Sequence, residues 1–116
     1  MSEKARLFLL PAGFEDPAYP GQRFLCRHGA LVEGALKGYP EVLAAIDIER
    51  VGFPRPRERV IALVGEAYQS LPLLVLPPGE TATAATGFSN GRAFVAGAEA
   101  ILQTLAERHG LPVVHP

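Results

Sequence analysis

One cysteine, Cys26, stands where the chain turns from loop to amphipathic helix, and Arg27 and His28 follow it directly. A thiol reacts as its thiolate, and the unpaired N–H groups of a first helical turn stabilise negative charge. Neighbouring basic side chains favour the same charged form. These residue types in this order predict a nucleophile at Cys26, with Arg27 and His28 supporting its thiolate. Attack on a disulfide sulfur is the reaction such a group performs. The competing reading is an inert small hydrophobe, since free cysteine is among the most buried residue types. With one cysteine in 116 residues no disulfide closes within the chain, so packing alone holds the fold. A disulfide between two copies through Cys26 stays open. Ser70-Leu71-Pro72, just before the apolar run 73–76, is the second feature. On its own it reads as a proline that starts a strand, because only about 5–6% of X–Pro bonds in folded proteins are cis.

Other chemistry-bearing groups have a plainer reading. Glu15 and Asp16 are adjacent carboxylates in a turn-rich loop, where acid–base work is possible but turn chemistry is the commoner use. His28, His109 and His115 lack ligand spacing, so no metal is predicted. Arg50, Arg55, Arg57 and Arg59 form a basic cluster diluted by Glu49 and Glu58, which reads as a solvated face. No glycine loop has phosphate-binding spacing.

The elements that must position Cys26 are legible in the apolar periodicity. Residues 6–10 form a continuous apolar strand stopped by Pro11-Ala12-Gly13. Residues 13–23 follow as a long loop, and loops of that length are more often functional than average. From Cys26 the i,i+4 pairs Leu31/Ala35 and Val32/Leu36 mark a helix closed by Gly38. Gly34 inside it costs about 1 kcal/mol against alanine, which predicts a close neighbour at that backbone. Pro40 opens one more turn at N1. Alternation over 46–53 gives a second strand, and Pro54 and Pro56 lead into a helix with Val60, Ile61, Leu63, Val64, Ala67 and Tyr68 on its apolar face. Residues 73–76 are a third, buried strand. Residues 81–88, rich in threonine, are a fourth and more exposed one, with Asn90-Gly91 as a turn after it. A helix over 98–109 faces Ile101, Leu102 and Leu105 inward and ends at Gly110, and 111–116 lie on the surface. The order is βαβ, then α, then ββα, in one domain spanning 1–116. It implies a small sheet with helices on both faces and a parallel first crossover.

Composition sets the class. Hydrophobic residues make up 48% and charged residues 20%, which is globular rather than disordered. A formal charge of −1 supplies no field toward nucleic acid or anionic lipid, so neither is an expected partner. The apolar run Leu7-Phe8-Leu9-Leu10 is too short for a signal peptide or a membrane span, and a cytoplasmic protein is expected.

The element order, Cys26 at the first helix and Ser70-Leu71-Pro72 before strand 73–76 together resemble the thioredoxin-like superfamily. More narrowly, Leu10-Pro11-Ala12-Gly13-Phe14-Glu15-Asp16-Pro17, Tyr19-Pro20-Gly21-Gln22-Arg23 and Leu105-Ala106-Glu107-Arg108-His109-Gly110 are similar to an uncharacterised bacterial family of small thioredoxin-like proteins. The resemblance implies a three-layer α/β/α sandwich around a four-stranded mixed sheet. It places Cys26 at the nucleophilic cysteine and Pro72 at the proline that is cis in the superfamily. Leu71 becomes the residue whose backbone pairs with a bound peptide or glutathione. Where thioredoxins carry C-x-x-C, this chain reads Cys26-Arg27-His28-Gly29, so the resolving thiol is absent. His28 is similar to the histidine of the C-P-H-C in strongly oxidising members. The resemblance therefore implies a monothiol (C-x-x-G) exchange protein without a resident cofactor, with glutathione as co-substrate and protein thiols or disulfides as partners. The alternative is a non-catalytic binding module in which Cys26 is structural. C-G-F-S, the signature of iron–sulfur-carrying glutaredoxins, is absent at Cys26. A peroxiredoxin needs threonine where Arg23 stands, and a glutathione transferase needs a second domain.

Overall fold

Alternation within a single strand divides the interior into two cores. The computed structural model describes residues 3–116. Its elements run β1 (Ala5–Leu9), β2 (Phe14–Glu15), β3 (Arg23–Phe24), α1 (Arg27–Lys37), α2 (Pro40–Ala45), β4 (Ile46–Arg50), α3 (Glu58–Val64), β5 (Leu73–Val75), β6 (Gly87–Ser89), β7 (Arg92–Ala96) and α4 (Ala98–His109). Leu7 and Leu9 point to one face of β1 and Phe8 to the other, and all three are fully buried. Where the strand is covered on both faces no position is left for a polar side chain, hence the apolar run Leu7-Phe8-Leu9 after Arg6. Val32 and Leu36 of α1, Val42 of α2 and Ile101, Leu102 and Leu105 of α4 fill the first core. Val60 and Val64 of α3 fill the second, against Phe8, Leu73, Val75 and Phe94.

The sheet is mixed and five-stranded, in the order β4-β1-β5-β7-β6. β1 pairs parallel with β4 and antiparallel with β5, and β7 is antiparallel to both β5 and β6. Four strands were expected, and the difference lies in the second half. Residues 81–86 have the composition of a strand but form turns, with Ala85 N–H donating to Ala82 O at 3.1 Å. Only the end of the stretch joins the sheet, as β6. Asn90-Gly91 then turns β6 into β7, both residues having positive φ as such a turn demands. The run Ala93-Phe94-Val95 within β7 is buried and is a strand that the sequence pattern does not supply. The ring of Phe94 lies over its cross-strand partner Gly87, where a Cβ would come within 2.8 Å of it.

The helices also differ from expectation in detail. Leu31 is 47% exposed, so Gly29, Val32 and Leu36 make the buried stripe of α1. α3 stops at Gly65, with φ 82°, which leaves Ala67 and Tyr68 outside it, although Tyr68 still packs on the Phe94 ring at 4.9 Å. α2 opens with Pro40 as expected, and α4 closes at the left-handed Gly110. Gly34 has no close neighbour, since a Cβ there would meet nothing within 4 Å. Nothing in the packing opposes alanine, so Gly34→Ala should stabilise the protein by about 0.5–1 kcal/mol. A urea denaturation midpoint that failed to rise would refute this. No helix is long and apolar enough to cross a membrane, among the described residues.

Candidate functional site

Cys26 is the N-cap of α1. Its backbone is extended (φ −80°, ψ 116°), its carbonyl accepts from Ala30 N–H at 2.8 Å, and its Sγ accepts from Gly29 N–H at 3.4 Å. A cap side chain normally takes the N–H of N2 or N3, and sulfur does so here in place of the usual oxygen. The first turn of α1 contains no acidic residue, so no carboxylate competes for its unpaired N–H groups. The side chain is partly exposed rather than sealed in the core. It borders a cleft of about 320 Å3 between Leu10-Pro11-Ala12 and the first turn of α1. Glu33 also lines that cleft, but Arg50 neutralises it through a two-pronged ion pair and donates as well to Leu10 O at 3.2 Å.

This cleft lies at the carboxyl end of β1, where open α/β sheets commonly place their sites. The register explains why Pro72 arrives there too. β5 runs antiparallel to β1 with Leu73 opposite Phe8, so Pro72, one residue earlier, falls level with Leu9. The Leu9 side chain reaches the first turn of α1, 3.8 Å from where a Cβ of Gly29 would stand. Pro72 is buried and Leu71 partly so, and the Leu71–Pro72 peptide bond is cis, as is Arg55–Pro56. Leu71 and Pro72 do not line the cleft at Cys26. Arg27 and His28 are exposed on the helix end, and His28 faces a separate depression beside Leu31 and residues 96–100.

Two features near the site are not legible in the sequence. Residues 13–24 close into the small β2–β3 hairpin, whose Phe14 stacks on Phe53 at 4.9 Å and approaches Phe24 at 6.2 Å. Tyr19 meets Phe24 edge-on at 5.6 Å. Within that hairpin Asp16 is turn chemistry, its carboxylate accepting from Ala18 N–H at 2.9 Å, while Glu15 is exposed. The second feature is Arg57, which was expected on a solvated face and is instead only 6% exposed. It donates to Phe53 O (2.7 and 3.2 Å) and to Gln69 O (2.8 Å), and its guanidinium lies over the Phe53 ring. It thereby ties the segment after β4 to the segment that leads into Pro72. No carboxylate pairs with it among the described residues. Burial pulls its pKa down and Arg55 adds to that, whereas negative charge on Cys26 opposes both. Its burial is created by residues twelve positions away, which no local pattern announces.

Residues 4–113 match the family model described as "Protein of unknown function (DUF3088)". The chain belongs to that family. The DUF3088 match spans every feature described above, from β1 through the Cys26 cap and Pro72 to the end of α4. No curated protein and no solved structure matches the chain. Among the described residues, no group of three or more His, Cys, Asp or Glu could hold a metal ion.

Proposed function

We propose that the chain is a thioredoxin-like monothiol protein that exchanges disulfides, with Cys26 as nucleophile and glutathione as co-substrate. The observation that carries this reading is the half-buried Cys26, which lines a cleft and whose Sγ accepts an N–H of an α1 first turn free of carboxylates. The parallel β1–β4 crossover and the arrival of Pro72 beside the end of β1 support the fold assignment. In the reaction the Cys26 thiolate attacks the glutathione sulfur of a mixed disulfide. A new S–S bond forms to Cys26, the old one breaks, and the substrate thiolate leaves and takes a proton from water. A second glutathione thiolate then attacks the bound glutathione sulfur, which releases oxidised glutathione and restores Cys26. In this reading the Leu71 backbone, ahead of Pro72 at the level of Leu9, pairs with the substrate, and Arg27 and His28 stand exposed at the helix end that holds the thiolate.

The exposure of Leu25 (67%) next to the thiol favours a second reading, a binding module in which Cys26 only caps α1. Iodoacetamide labelling separates the two. The exchange reading expects Cys26 at neutral pH to label about tenfold faster than free glutathione. It also expects glutathione-dependent reduction of a peptide mixed disulfide that Cys26→Ser abolishes. Labelling no faster than glutathione, with equal turnover by the variant, would leave the binding module standing.

A further inference from the structure

We infer that the opposite end of the sheet carries a binding site for a small phosphate-type oxyanion, in which the carboxylate of Glu3 is a placeholder for the ligand. This inference is independent of Cys26. α3 has only seven residues and is about 10 Å long, so it covers only part of its sheet face. Beyond its cover, the pleat positions that continue the Phe8 and Phe94 faces carry Arg6 and Arg92. With Lys4 and Arg59 they line a cleft of about 220 Å3 backed by Val75 and Leu63. That volume suits a small ligand rather than a drug-sized one.

Among the described residues, the four cations there outnumber the three carboxylates that they meet. Arg6 and Arg59 both donate to the single carboxylate of Glu49, at 2.7, 2.6 and 3.1 Å, with Asp47 3.9 Å from Arg6. Among the described residues, Lys4 finds only a backbone carbonyl, Ala44 O at 2.9 Å. Arg92, with a side chain only 19% exposed, is held by Glu3. Glu3 lies outside β1 and its side chain is 52% exposed, so it is the one carboxylate of the cluster not fixed within a strand. Its hydrogen bond to Arg92 holds its carboxyl below the usual range; desolvation opposes this, and the charges of Arg92 and Arg6 add to the lowering. A carboxylate there occupies a position that suits an anion, and a phosphate offers the same arginines more acceptor oxygens and more charge. Displacing Glu3 leaves four cations around two carboxylates.

The test is calorimetric titration of the full chain with inorganic pyrophosphate, and separately orthophosphate, at ionic strength held constant with sodium chloride. Saturable binding is expected, weakening as salt is raised. Glu3→Gln removes the competing carboxylate and should tighten binding by roughly two- to fivefold, the scale of one exposed ion pair. Arg59→Gln, at an exposed position, should weaken it, and Arg92→Gln should abolish it. The tightening by Glu3→Gln cannot arise from a damaged fold, so it separates a site from a structural ion-pair network. No heat beyond that of the chloride control, or affinity indifferent to Glu3→Gln and Arg59→Gln, would overturn the proposal.

Discussion

Replacing Arg57 with methionine should lower stability by about 2–4 kcal/mol, although the substitution deletes a buried charge that has no counter-ion. The direction follows from what the guanidinium holds. Its three hydrogen bonds end on two backbone carbonyls, Phe53 O and Gln69 O. Methionine fills similar space but donates nothing, and each buried acceptor left without a donor costs about 1–3 kcal/mol. Relief of the desolvation that depresses the Arg57 pKa offsets part of that loss. Arg57→Lys should not rescue, because one ammonium cannot reproduce a planar fork that reaches two carbonyls. The urea midpoints of both variants measure this. A loss below about 0.5 kcal/mol for methionine would mean that water reaches the carbonyls.

The same residue shows where sequence reasoning stops. Periodicity reports which residues an element buries by itself, and there it succeeded: β1, α1, α2, β4, β5 and α4 lie close to where their patterns put them. Turn chemistry succeeded at Asn90-Gly91 and at Gly110, where backbone with positive φ is required. Burial imposed from a distance is invisible to both. Arg57 is covered by the segment around Gln69, and Phe14, Phe24 and Phe53 meet only because a hairpin folds back onto the turn after β4. The missing strand has a different cause. Thr81 and Thr83 drew the assignment through β-propensity, which describes residues that suit a half-buried pleat rather than a backbone preference. The residues with a real partner were Ala93, Phe94 and Val95, opposite β5 and β6.

At the candidate site the sequence supplied the atom and not its setting. Cys26 at a helix start is legible because an N-cap is a local matter, and Sγ indeed accepts the Gly29 N–H. The approach of Pro72 depends on strand register, which a hydrophobic pattern constrains only once the pairing is known. The neutralisation of Glu33 by Arg50 depends on a pairing seventeen residues apart. Arg27 and His28, adjacent to the sulfur in sequence, are carried away from its cleft by the helical turn, which presents Gly29 and Ala30 there instead. Proximity in sequence does not place these two in the cleft, and distance in sequence hid Arg57.

Leu9 couples the two levels, and Leu9→Ala should cost about 2–5 kcal/mol, the range for deleting a fully buried leucine. The void is expected to persist because β1 is held on both sides by β4 and β5, so its backbone cannot close over the gap. Ile101→Ala in α4 empties the same core and should cost a similar amount. Leu9 lies against Gly29 in the first turn of α1. Losing that support should fray the cap, so the Gly29 amide, whose hydrogen is given to Cys26 Sγ, should exchange with solvent faster than the drop in global stability accounts for. In Ile101→Ala the same amide should speed up only as far as global opening does. Native-state hydrogen exchange compared with urea midpoints on both variants decides the matter. Equal excess exchange in the two would mean that the cap is governed by the whole core. An excess confined to Leu9→Ala would mean that one strand residue sets how firmly the helix presents its N–H groups to the sulfur.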